Sequence, residues 1–151
     1  MNDQKVKIYQ QCLEKLTGLL EGEKDEIVKM ASITALLHQS FEGFYWTGFY
    51  RMIGGELVIG PYQGTPACLR IAMGRGVCGT AAETGETQVV PDVHAFPGHI
   101  ACDAASVSEI VIPVRSGEGI IAVLDIDSTS KNSFDQIDAD HLERIIACFF
   151  S

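Results

Sequence analysis

The run S108-EIVIPVRSGEGIIAVLDID-S128 decides how this chain folds. Two aliphatic stretches, "SEIVIPVRS" and "GIIAVLDIDS", flank a Gly-Glu-Gly break. Apolar runs of that length around a glycine turn predict an antiparallel hairpin. Upstream, "GFYWTGFYRM" (43–52) and "ELVIGPY" (56–62) flank "IGG" and predict a second hairpin. "CLRIAM" (68–73) and "TQVVPDV" (87–93) read as two shorter strands. Both ends read as helices. From Asp3 to Leu20, Val6, Tyr9, Leu13, Leu16 and Leu20 recur at spacings of three and four, and Asp25–His38 carries Ile27, Met30, Ala31 and Leu37. "SFDQ" from Ser133 has the form of a capping box with Gln136, opening a last helix with a stripe of Phe134, Ile137, Leu142, Ile145 and Phe149. Helices at the ends and hairpins between them predict an α+β fold. It is an antiparallel sheet of about six strands flanked by N- and C-terminal helices, in one domain over residues 1–151.

Composition narrows the function. The 46% hydrophobic content of the 151 residues suffices for a packed core. A formal net charge of −9 argues against nucleic acid or an anionic membrane as partner. No apolar run approaches the ~18 residues of a bilayer span, and the polar, amphipathic N-terminus lacks a signal core, so a cytoplasmic location is expected. Five cysteines, an odd number, do not make a structural disulfide framework in that compartment. Cys12 and Cys148 fall in the terminal helices, where free cysteine is expected as a small buried apolar residue.

Three features exceed what a bland fold needs. Asp125 and Asp127 stand two apart in an otherwise aliphatic strand and therefore share a face. Two like charges on a partly buried face repel and lose hydration, which suits a cation site or a tuned carboxyl; two acids at a strand end facing water fit the spacing equally well. Glu109 opens the partner strand, so the hairpin can bring all three acids to one pocket, fit for an ammonium group and able to keep one carboxyl protonated. Trp46 and its aromatic neighbours read as core by default, but would also wall a pocket for a thioether or its sulfoxide. Cys68, Cys78 and Cys102 are spaced unlike zinc templates, even with His94 and His99 counted. A thiol-redox site fits them better: Cys102 lies among small residues, and Cys78 near a short helix start beside Arg75, where a thiolate is favoured.

The stretch "GPYQGTPACLRIAMGRGVCGTAAETGETQVVPDVHAFPGHIACDAASVSEIVIPV", with its three cysteines and the "LDIDS" strand, closely resembles the free methionine-(R)-sulfoxide reductases, a GAF-domain family. The resemblance runs from about Tyr45 through Ser128. It implies a GAF-like fold and an enzyme that reduces free methionine-(R)-sulfoxide, with no cofactor or metal. It assigns Cys102 as nucleophile, Cys68 as the resolving cysteine that forms a disulfide with it, and Cys78 as an accessory thiol. Trp46, Tyr50, Glu109, Asp125 and Asp127 match the substrate-pocket positions. The implied reductant is thioredoxin, and the amphipathic first helix leaves a homodimer open. A GAF-type ligand-sensing module with inert cysteines is the rival reading, and a zinc-binding structural domain a third. A sensing module usually comes with an attached output domain, for which 151 residues leave no room, and this favours the enzyme.

Overall fold

A computed structural model, describing residues 2–100, 102–117 and 119–151, gives a six-stranded antiparallel sheet with helices on both faces. In chain order the elements are α1 (Asn2–Leu19), α2 (Glu26–Ser40), β1 (Trp46–Ile53), β2 (Glu56–Gln63) and β3 (Arg70–Ala72). Then follow α3 (Gly76–Thr84), β4 (Gln88–Val90), β5 (Ser108–Ser116), β6 (Gly119–Ser128) and α4 (Gln136–Phe149). The strands lie in the order β3-β2-β1-β6-β5-β4, so the two hairpins sit side by side at the centre. The α+β fold expected from the sequence is the fold observed.

Strand alternation divides the interior in two. One face, with Phe49, Ile110, Ile112, Leu124 and Ile126, packs on Tyr9, Leu16, Ile33, Leu37, Leu142 and Ile145 of α1, α2 and α4. The opposite face, with Trp46, Tyr50, Val111 and Val123, packs on Val77, Cys78, Ala81 and Ala82 of α3. Glu109, Asp125 and Asp127 follow the parity of Val111 and Val123 and so belong to this second face.

Local chemistry fixes the helix ends. Asp25 caps α2, its carboxylate accepting from the backbone N–H of Ile27 and Val28 at 2.8 and 3.2 Å. The box expected from Ser133 and Gln136 is displaced by two residues. Asp135 is the N-cap of α4, and Asp138 is the residue that answers it. Phe134, still buried, precedes the helix instead of lying in it, and Ile137 is only half-buried. The reason is competition between two candidate caps: a carboxylate at Asp135 reaches the free N–H groups, while the Ser133 hydroxyl is taken up with Ser128 and Ser130. Two other expectations fail. Ile27 is 47% exposed although it keeps the phase of Met30 and Thr34, because it stands in the first turn of α2, ahead of the buried stripe that begins at Met30. Cys148 is exposed, since the inward positions of α4 are Leu142, Ile145 and Ile146. Cys12 is buried as expected.

Candidate active site

Register assembles the acids. Glu109 pairs directly with Asp127 across β5 and β6, Val111 pairs with Asp125, and on the other side of β6 Asp127 meets Trp46 and Asp125 meets Gly48. Above this patch stands the start of α3. Gly76 takes φ +62°, and a Cβ on Gly79 would lie 2.6 Å from the carbonyl oxygen of Ala72, so the helix can approach the chain before it this closely only with glycine there. The approach drives Cys78 onto the acids: its thiol donates to Glu109 Oε2 at 3.9 Å. A cavity of about 40 Å³ remains between the sheet face, α3 and the residues His99, Ile100, Cys102, Asp103 and Ser106.

The cavity is electrostatically unusual. Glu109 and Asp125 are 8% and 5% exposed, Asp127 is half-buried, and the Asp125 Oδ1 atom has no hydrogen-bond partner among the described residues. Burial raises all three carboxyls well above the ordinary carboxylate range, and mutual repulsion adds to it: Asp125 acts on Glu109, Asp127 on Asp125, and Glu109 on Asp127. The group therefore shares protons as one coupled unit. Burial, and then the field of this group, also raise the Tyr50 hydroxyl. The expectation of an activated Cys78 is corrected here. Burial, then the charges of Asp125, Glu109 and Asp127, push its thiol well above the usual range, so Cys78 rests as the neutral thiol. The short helix and Arg75 do not offset three adjacent acids.

Aromatic rings close one side. Trp46 stacks between Tyr50 and Tyr62, with centroids 5.9 and 5.3 Å away, and its indole N–H donates to the carbonyl of Thr65 at 2.9 Å. A Cβ on Gly48 would sit 2.7 Å from the indole, and one on Gly64 equally close, so both glycines make room for the ring.

The remaining sulfurs meet at the mouth. Cys68, in the β2–β3 connection, and Cys102 form a disulfide across a separation of 34 residues, with Cα atoms 5.2 Å apart. Cys102 and Asp103 both line the cavity. Asp103 ties the two loops together: its Oδ2 accepts from Tyr45 Oη at 2.9 Å and from Thr65 Oγ1 at 2.5 Å, and its Oδ1 accepts the Ala105 N–H at 2.9 Å. These bonds, that of Thr65 first, hold its carboxyl below the ordinary range. The geometry thus brings all eight residues singled out in the sequence to one place: Trp46, Tyr50, Cys68, Cys78, Cys102, Glu109, Asp125 and Asp127. Sequence reading missed Tyr62 and Asp103. No signal announced Tyr62, because β2 carries an extra residue opposite Phe49, between Ile59 and Tyr62, that shifts the register by one. Asp103 had the weak signal of standing next to Cys102.

Comparison with known proteins follows the same lines. The GAF domain family profile matches residues 30–147. Protein YtsP of Bacillus subtilis is 53% identical over 140 residues, covering 91% of this chain and 86% of its own. Free methionine-R-sulfoxide reductase of Escherichia coli is 44% identical over 143 residues, covering 95% and 87%. The X-ray structure of free methionine-R-sulfoxide reductase from Neisseria meningitidis in complex with its substrate superposes with a TM-score of 0.92 at 41% identity, covering 96% of this chain and 87% of that one.

Proposed function

The chain belongs to the GAF domain family, together with the reductases of Escherichia coli and Neisseria meningitidis, and on that premise we propose that it reduces free L-methionine-(R)-sulfoxide to L-methionine. The observation that carries the reading is the Cys68–Cys102 disulfide at the mouth of a cavity floored by three acids and walled by Trp46 and Tyr50. An ordinary ligand-sensing domain has no use for a thiol pair there.

The reaction divides between sulfur and carboxyl. The Cys102 thiolate attacks the sulfoxide sulfur, and a protonated carboxyl of the acid cluster gives its proton to the oxygen. Sulfur–oxygen cleavage then releases methionine and leaves the oxygen on Cys102 as sulfenic acid. The Cys68 thiol condenses with it, forming the disulfide and expelling water. A dithiol reductant, thioredoxin by family likeness, exchanges with the disulfide and restores two thiols. Cys78 serves as accessory thiol. The cluster has two tasks that coupled carboxyls can share: an ionised member binds the α-ammonium group, while a protonated one supplies the proton. That pairing explains a preference for the free amino acid, since peptide-bound methionine lacks the charge. The Trp46 and Tyr50 rings receive the methyl group and sulfur.

The test offers purified protein and dithiol reductant the free R-sulfoxide, the free S epimer and a peptide-bound sulfoxide. Methionine release from the first alone is expected. Turnover of none, or equal turnover of the peptide, defeats the proposal.

A further inference from the structure

We propose that Cys78 Sγ, Glu109 and Asp125 form a binding site for a thiophilic divalent cation of the zinc class, at the floor of the cavity. The three come from different elements, α3, β5 and β6, which is why no ligand spacing in the sequence announces them. Each is buried, and one ligand atom from each lies within 4.8 Å of the other two. The Sγ of Cys78 stands 3.9 Å from Glu109 Oε2. Metal–sulfur and metal–oxygen bonds in zinc sites run about 2.3 and 2.0–2.2 Å, so roughly an ångström of closing brings all three into bonding range of one ion.

A second observation points to a ligand. Asp125 is 5% exposed, and its Oδ1 has no partner among the described residues. An oxygen so buried forfeits hydration without replacing it. A cation shared with Glu109 and the sulfur satisfies it directly. A thiol, two carboxylates and an open side toward the cavity match a borderline-soft ion better than calcium or magnesium, which prefer oxygen alone. Binding releases the thiol proton and any proton held by the two carboxyls, and leaves Cys78 as the metal thiolate.

The consequence for activity rests on the function proposed above. The ion takes the carboxylates that hold the substrate's ammonium group, so it opposes substrate binding and locks the accessory thiol. It therefore acts as a competitive brake.

The test uses the full chain with the Cys68–Cys102 disulfide formed, leaving Cys12, Cys78 and Cys148 as free thiols. Co²⁺ alone is titrated in, and thiolate-to-cobalt charge-transfer absorption is recorded. Expected is a saturable band, displaced by Zn²⁺, kept in Cys148→Ser and lost in Cys78→Ser. Glu109→Gln should weaken affinity at least about tenfold. Persistence of the band in Cys78→Ser, or none in the wild type under excess Co²⁺, overturns the site. Should Cys78→Ser fold poorly, Zn²⁺ must still raise the melting temperature of the wild type, and no rise overturns the site as well. Added Zn²⁺ should also raise KM for free methionine-(R)-sulfoxide, and an unchanged KM overturns the competition. Lack of any turnover would defeat the enzyme reading while leaving the cobalt band intact.

Discussion

Asp125 is destabilising where it stands, and its pH dependence should show it. Burial and the neighbouring Asp127 raise its folded-state pKa well above the unfolded value. The folded protein therefore holds a proton in a range where the unfolded chain, with an ordinary value of about 3.9, has lost it. Fewer protons on the unfolded state mean that stability falls as pH rises. This contribution is greatest below the unfolded pKa, declines above about pH 4, and levels off only beyond the raised folded value. Asp125→Asn should flatten that decline and gain stability at neutral pH while losing methionine-(R)-sulfoxide turnover. Urea unfolding of both proteins at a series of pH values checks it; parallel pH profiles would remove the destabilising role. Cys102 invites the opposite experiment, because the proposed mechanism makes it the nucleophile. Cys102→Ser should keep the fold, lose the stability that the disulfide contributes, and release no methionine even in a single turnover. Release of one equivalent would move the nucleophile elsewhere.

Within single elements, β1 carries the most demanding packing. The bulge in the neighbouring β2 leaves Gly48 facing Tyr62 while the Trp46 indole lies across the glycine. A methyl at Gly48 meets both rings' supports at once, with no flexible group to yield. Gly48→Ala should cost about 1–3 kcal/mol and displace the indole. Urea unfolding measures the loss, and emission from Trp46, the one tryptophan in the chain, reports the displacement. A near-neutral change with unaltered emission would contradict this packing. Helix α4 makes the matching point for polar groups. Asp138 is 1% exposed, accepts from Tyr9 Oη at 2.5 Å and Lys5 Nζ at 2.7 Å, and closes the box with the Asp135 N–H at 2.9 Å. Asp138→Ala leaves a buried phenol unpaired and should cost roughly 2–3 kcal/mol, read from thermal and urea unfolding. The sequence showed both hairpins because glycine turns and aliphatic runs are local signals. It hid the bulge and the true cap because each is a choice among near-equal neighbours, settled by contacts made elsewhere: Tyr62 against Trp46, and Tyr9 against Asp138. The acid cluster was half legible. Period two placed Asp125 and Asp127 on one face, but only the cross-strand register and α3 showed that face to be covered rather than wet.

Across the molecule, the two packed faces of the sheet have different duties. The face beneath α1, α2 and α4 is mainly apolar core, with Thr47 and Asp138 buried in hydrogen bonds to His38 and Tyr9, whereas the face beneath α3 mixes apolar packing with acids, thiols and a cavity. In the proposed cycle the Cys68–Cys102 bond opens on every turn, so the first face must hold the fold while the second changes. On a chain-entropy basis, a 34-residue separation makes that bond worth about 3–4 kcal/mol. For a chain of this size, such a loss lowers the melting temperature by roughly 6–16 °C without abolishing folding. Cys68→Ser should therefore match the reduced wild type in stability and fall below the oxidised wild type by that amount. It should also release about one methionine per chain in a single turnover, then stall with thioredoxin as reductant. Two results would break the link between stability and cycle. One is a variant as stable as the oxidised protein. The other is full multiple turnover in the variant, which would pass the resolving task to Cys78, the neutral thiol already in the cavity.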